Sequence, residues 1–272
     1  LLECRGLTKV FAVRRGGPGQ PAALLDATLW VRRGECLGVV GESGSGKTTL
    51  ANCLTGLLRP SAGTVSYDGE IICGPGLRPR FPRVRGIQIV FQEPASSLNP
   101  RRTVGSVLAE IIRVHRLCPA GLTRSRVSEL LDMVGLDPAL APRRPDRLSG
   151  GQQQRVAIAR ALAFEPRLIV ADEIVSAVDA SVQAQILNLL GDLRDRLGVA
   201  IILVTHDMSV ARHLCDRIAV MRAGAIVEAG PADQVLASPG HPYTRQLLAA
   251  VPRLAWPAGP SGPLPPRPPQ GR

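Results

Sequence analysis

A chain of 272 residues that is 45% hydrophobic but only 3% aromatic can bury one large α/β core or two small ones, built from aliphatic side chains. Its net charge of +11 is spread over scattered arginines, and with so few aromatics to stack bases the excess argues against nucleic acid and suits a solvated surface beside an anionic membrane. No apolar run approaches about 18 residues, so no membrane-spanning helix is expected, and the first residues suggest no secretory leader.

Residues 2–13 read as a strand and turn, followed by a Gly/Pro-rich loop over 14–23. Leu25 to Val31 alternates loosely as a second strand, and Cys36 to Val40 is a short buried one. A glycine-rich loop then opens a helix from Lys47 to about Leu58, which Pro60 and Gly63 end. Ile87 to Gln92 reads as a strand. From there to about Arg147 the pattern is helical, with Val127, Leu130, Leu131 and Val134 on one face. Leu168–Ala171 is a buried strand, Val182–Leu197 an amphipathic helix, and Ala200–Val204 another strand. Ile218–Met221 and Ala225–Glu228 form a hairpin turning at Ala223-Gly224. Strands alternating with helices predict a parallel sheet covered on both faces. Residues 257–272, mostly Pro, Gly and Arg, are expected to be a disordered tail. The six cysteines form no C-x-x-C pair and read as free thiols of a reducing cytosol.

The strongest local signal is Gly41-Glu42-Ser43-Gly44-Ser45-Gly46-Lys47-Thr48, which fits G-x-x-x-x-G-K-S/T between a predicted strand and a predicted helix. Glycines let successive N–H groups converge as an anion nest, and the helix N-terminus adds positive potential there. Lys47 brings a full charge to terminal phosphates and Thr48 a hydroxyl for Mg²⁺; Thr49 closes the same turn. Downstream, the apolar strand 168–171 ends in Asp172-Glu173. Asp172 suits Mg²⁺, and Glu173 can accept a proton from water attacking the γ-phosphate. Gln92 and His206 also follow strands, and in open α/β sheets ligands bind beyond the carboxyl ends of strands. A second glycine-bearing helix start lies at Leu148-Ser149-Gly150-Gly151-Gln152, where Ser149 is a good N-cap. It has no phosphate cradle of its own.

Taken together, GESGSGKT, LIVADE and LSGGQQQR resemble the ATP-binding subunits of ABC transporters, over about Leu2 to Pro252. The resemblance implies a P-loop NTPase fold: an α/β core, an N-terminal antiparallel part and an inserted helical subdomain. The expected division is an ATP-binding domain over 1–235 with the insertion at about 94–147, then an extension over 236–256. It also implies ATP and Mg²⁺ as cofactors and a head-to-tail pair of such subunits, in which Ser149 and Gly151 of one touch the γ-phosphate held by Lys47 of the other. Gln92 then links Mg²⁺ and water to the membrane partner, His206 is the switch histidine, and Ser176–Asp179 is the D-loop. Phe11 is the candidate for stacking on adenine, with an ordinary strand residue as the alternative. Ile174-Val175 stands where the family usually has Pro-Thr, and Val178 where Leu is more frequent.

Phe91 to Pro100 and His241-Pro242-Tyr243-Thr244-Arg245 resemble the oligopeptide, dipeptide and nickel importer branch. That branch implies an ATPase on the cytoplasmic face of the membrane, working with a second ATP-binding subunit (usually a different one, with a second copy of the same chain as the alternative), two permeases and, indirectly, an external solute-binding protein. No nucleic-acid partner and no iron–sulfur cluster are expected. The alternatives are a nickel or other small-solute importer and, in another class, a soluble ABC ATPase of DNA repair or translation.

Overall fold

A computed structural model describes residues 1–11, 22–77, 86–93, 98–176 and 178–250. The expectations for the loop at 14–21, for residues 94–97 and for the tail at 257–272 lie outside the described residues.

Two sheets organise the described residues. The first is antiparallel: β1 (Leu2–Lys9), β2 (Leu24–Val31), β4 (Ala62–Tyr67) and β5 (Glu70–Cys73), in the order β2-β1-β4-β5. It realises the expected N-terminal antiparallel part and adds a hairpin, β4–β5, absent from the sequence expectations. That hairpin turns at Asp68-Gly69, both left-handed with φ of 49° and 85°, as an Asp-Gly turn between two strands favours.

The second sheet runs β10-β9-β3-β8-β7-β6. Its strands β3 (Cys36–Val40), β6 (Ile87–Val90), β7 (Leu168–Asp172), β8 (Ala200–Thr205) and β9 (Arg217–Arg222) are parallel, and β10 (Ala225–Pro231) pairs antiparallel at the edge. Every residue of β3, β7 and β8 is buried, as strands covered on both faces require. The period of two divides them between two cores. Leu37, Val39, Ile202 and Val204 pack with the first sheet and with helix α1 (Lys47–Leu54). Cys36, Val40, Ile201 and Leu203 face the other way. There they meet α4 (Gly150–Leu162), α5 (Ala180–Leu197) and α6 (Met208–Leu214). That core extends into α2 (Val104–Val114) and α3 (Thr123–Met133), where Leu108, Ile112, Leu130, Leu131 and Val134 are all fully buried.

Some boundaries differ from expectation. α1 stops at Leu54 rather than near Leu58, because Gly56 turns left-handed (φ 66°) and the Thr55 hydroxyl bonds back to the Ala51 carbonyl. β6 ends at Val90, leaving Phe91 and Gln92 beyond it. Among the described residues, the stretch before Arg147 holds two helices, joined and followed by short 3₁₀ turns at Ala120–Leu122, Pro138–Leu140 and Pro145–Arg147. After β10 come α7 (Ala232–Ala237) and α8 (Pro242–Ala250). The parallel register aligns strand ends: Val40 pairs with Thr205, Asp172 with Val204 and Val90 with Ala171. One crevice at the carboxyl edge of the sheet therefore receives the residues following β3, β6, β7 and β8.

Candidate active site

The loop from β3 to α1 is shaped by its backbone. Gly46 caps α1 in a left-handed conformation, φ 102°, and a Cβ there would lie 2.4 Å from the Ala23 carbonyl oxygen. A Cβ on Gly41 would lie 2.3 Å from the Met221 carbonyl oxygen. Both positions admit only glycine. Gly46→Ala is accordingly expected to cost on the order of 1–3 kcal/mol in stability, read as a lower thermal midpoint.

Inside the loop the Lys47 ammonium donates to the Gly41 and Glu42 carbonyl oxygens at 2.8 and 2.9 Å and stands 3.7 Å from a Glu173 carboxylate oxygen. At 3.7 Å the Glu173 contact is Coulombic attraction rather than a hydrogen bond. Burial pushes the Lys47 ammonium below its ordinary pKa, with Glu173 and Asp172 opposing the shift. The Thr48 hydroxyl lies 3.4 Å from an Asp172 carboxylate oxygen at the end of β7. Burial raises the Asp172 pKa against the pull of Thr48, while the Glu173 charge raises it further and Lys47 lowers it.

Glu173 has a left-handed backbone, φ 50°, rare for a residue with a side chain. The surroundings hold it there. Its N–H donates to the Val204 carbonyl, the next two side chains, Ile174 and Val175, are buried in the core, and its own carbonyl accepts from Ser176. The apolar pair in place of Pro-Thr thus anchors this turn. Glu173 also lies 3.6 Å from His206 Nδ1. His206 is held between Thr205 and Asp207: the Thr205 hydroxyl accepts from the Asp207 N–H, and the Asp207 carboxylate caps α6. Gln92 joins less directly, its amide donating to the Ser176 hydroxyl at 3.2 Å, which in turn donates to the Glu173 carbonyl at 2.8 Å.

The structure thus gathers Lys47, Thr48, Asp172, Glu173 and His206, with Gln92 reaching them through Ser176. Glu42, Ser43 and Gly44 are exposed on the loop, Thr49 is half-buried on α1, and Ser45 is buried with a hydroxyl that has no partner among the described residues. Phe11 stands exposed beyond β1, with the Lys9 ammonium 5.3 Å from its ring centroid. The second helix start keeps to its own neighbourhood. Ser149 and Gln152 form a reciprocal capping box, and a Cβ on Gly151 would lie 2.5 Å from Val182 at the start of α5. No hydrogen bond among the described residues joins Ser149 or Gly151 to the 41–48 loop. Sequence reasoning missed the joint played by Ser176 and the Asp179 cap of α5, which accepts from the Ser181 and Val182 N–H groups. The Asp-x-x preceding an apolar helix was a readable capping signal for the latter.

A glycine loop between the first strand of a parallel core and a helix, with a buried lysine inside it and an aspartate facing its threonine, defines a P-loop nucleoside triphosphatase. The ABC transporter family matches residues 24–176, and the oligopeptide/dipeptide transporter C-terminal region matches 227–271. The chain is 43% identical to the dipeptide transport ATP-binding protein DppF of Haemophilus influenzae, over 94% of this chain and 79% of that one. It is 42% identical to the oligopeptide transport ATP-binding protein OppF of Bacillus subtilis, over 93% and 82%. Among solved structures, the post-hydrolysis dimer of the ATP-binding cassette MJ0796 bound to ADP and Pi superimposes with a TM-score of 0.73 at 32% identity, covering 85% of this chain and 99% of that one. The cassette cbiO1 of Clostridium perfringens gives 0.76 at 30% identity, over 87% and 90%. The chain belongs to the ATP-binding subunits of the ABC transporter family.

Proposed function

We propose that this chain is the ATP-hydrolysing subunit of a membrane importer for oligo- or dipeptides. The observation carrying the catalytic part is the meeting of Lys47, Thr48, Asp172 and Glu173 at one sheet edge. The peptide assignment is supported by the 227–271 match and by relatives named for dipeptide and oligopeptide transport.

The loop N–H groups and Lys47 bind the phosphates. The donor set suits Mg²⁺: a hydroxyl and a carboxylate, both hard oxygens, 3.4 Å apart. Charge balance supports the same fit, since one lysine faces two carboxylates and an incoming triphosphate adds further negative charge. Thr48 and Asp172 would hold the ion, and Gln92 is the candidate for its water side. When bound, Mg²⁺ neutralises charge on the phosphate oxygens. Glu173 takes the proton of the attacking water, and His206 beside it orients that water and the γ-phosphate. Ser149 and Gly151 complete the site from a second ATP-binding subunit, and the face around 93–145 carries the motion to two permeases. The division into 1–235 and 236–256, the adenine contact of Phe11 and the cytoplasmic membrane face belong to the same proposal. Among the described residues no helix is long and apolar enough to cross a membrane, which fits a peripheral subunit.

The test is uptake by sealed vesicles holding this chain with its permeases and binding protein. ATP inside should drive accumulation of a labelled dipeptide, and chelation of Mg²⁺ by EDTA should abolish it. Accumulation of nickel in place of dipeptide would overturn the peptide assignment.

A further inference from the structure

The C-terminal extension reaches back to the phosphate-binding loop. Tyr243, near the start of α8 and only 3% exposed, accepts a hydrogen bond on its phenol oxygen from the Glu42 N–H at 3.2 Å. The Arg222 guanidinium at the end of β9 also holds the ring, lying over it 4.8 Å from its centroid. The entry to α8 is pinned in turn. The Glu228 carboxylate on β10 accepts from the Gly240 and His241 N–H groups at 2.7 and 3.1 Å, and the Tyr243 N–H donates to His241 Nδ1 at 3.1 Å.

The Glu42 N–H and the Gly41 carbonyl belong to one peptide unit, which is planar, so holding one end orients the other. Tyr243 holds the N–H end, and the carbonyl end accepts from the Lys47 ammonium at 2.8 Å. The phenol and the lysine therefore grip opposite edges of the same peptide unit. The residue after it is also engaged: the Glu42 carbonyl accepts from Lys47 and from the Ser45 N–H at 3.2 Å.

We infer that Tyr243 is a positioning residue for nucleotide binding, setting the Gly41–Glu42 peptide and through it the Lys47 ammonium; this rests on the reading of the 41–48 loop as the phosphate site. Without the phenol, the loop samples more orientations of that peptide, and affinity falls by the fraction of time spent in the competent one.

The experiment is Tyr243→Phe in the full chain, which keeps the ring against Arg222 and removes the acceptor. Titration with a fluorescent ATP analogue should give roughly two- to tenfold weaker binding, the scale of one hydrogen bond. KM for ATP should rise with kcat little changed. Amide exchange over 41–48 should accelerate, while exchange in β7 and β8 stays as in wild type. Wild-type affinity and loop exchange in the variant would overturn the inference. So would a lowered thermal midpoint with affinity unchanged, which marks a purely structural tyrosine. If wild type itself fails to bind the analogue, the phosphate-site reading falls and this inference with it, a result distinct from either of the others.

Discussion

Glu173→Gln is expected to lower ATP hydrolysis by about 10²–10⁴-fold, the usual contribution of a positioned general base, while nucleotide binding persists. The substitution keeps the shape of the side chain and asks nothing new of the left-handed backbone that Ile174, Val175 and the bond to Val204 impose. It removes the proton acceptor and one of the two carboxylates beside Lys47. With less negative charge near the γ-phosphate, ATP should bind at least as well as in wild type. If the second helix start at Ser149 completes the site from another subunit, the variant should also accumulate as an ATP-held pair, visible by size exclusion only when nucleotide is present. Equal hydrolysis by the variant and wild type would remove Glu173 from the role of base.

The parts of this site that could be read from the sequence are those whose physics is local. A strand, a glycine turn and a helix start carry the 41–48 loop within a dozen residues, and the apolar run of β7 announces both its burial and the carboxylates that end it. The crossing of Asp172 to Thr48 followed from parallel topology, because ends of parallel strands share an edge. The contacts that escaped depend on which distant segments fold together. Gln92 meets Ser176 across 84 residues and Tyr243 meets Glu42 across 201, and neither spacing leaves a periodic trace. The same holds for the Ile174-Val175 pair: the departure from Pro-Thr was visible, but its packing into the helical core follows only from where β7 delivers it. The β4–β5 hairpin is a different case. Its Asp-Gly turn was readable, yet the flanking residues do not alternate, with only Val65 and Cys73 fully buried.

Lys47→Ala separates binding from chemistry. The ammonium is 4% exposed and makes two hydrogen bonds to loop carbonyls besides its attraction to Glu173. Its removal leaves Asp172 and Glu173 as a pair of like charges without the ammonium that faces both, and it deprives the phosphates of their charged donor. Charge-assisted hydrogen bonds contribute about 1.5–3 kcal/mol each, so losing two to the phosphates corresponds to roughly 10²–10⁴-fold weaker ATP binding. The variant should therefore fail in a titration that Glu173→Gln passes, although hydrolysis is lowered in both. Its fold should survive, because the deleted side chain packs within the loop while α1 is anchored by Leu50, Ala51 and Leu54 in the core between the sheets. Near wild-type ATP affinity in Lys47→Ala would mean that the backbone nest alone holds the phosphates, and the buried ammonium would then need a different role.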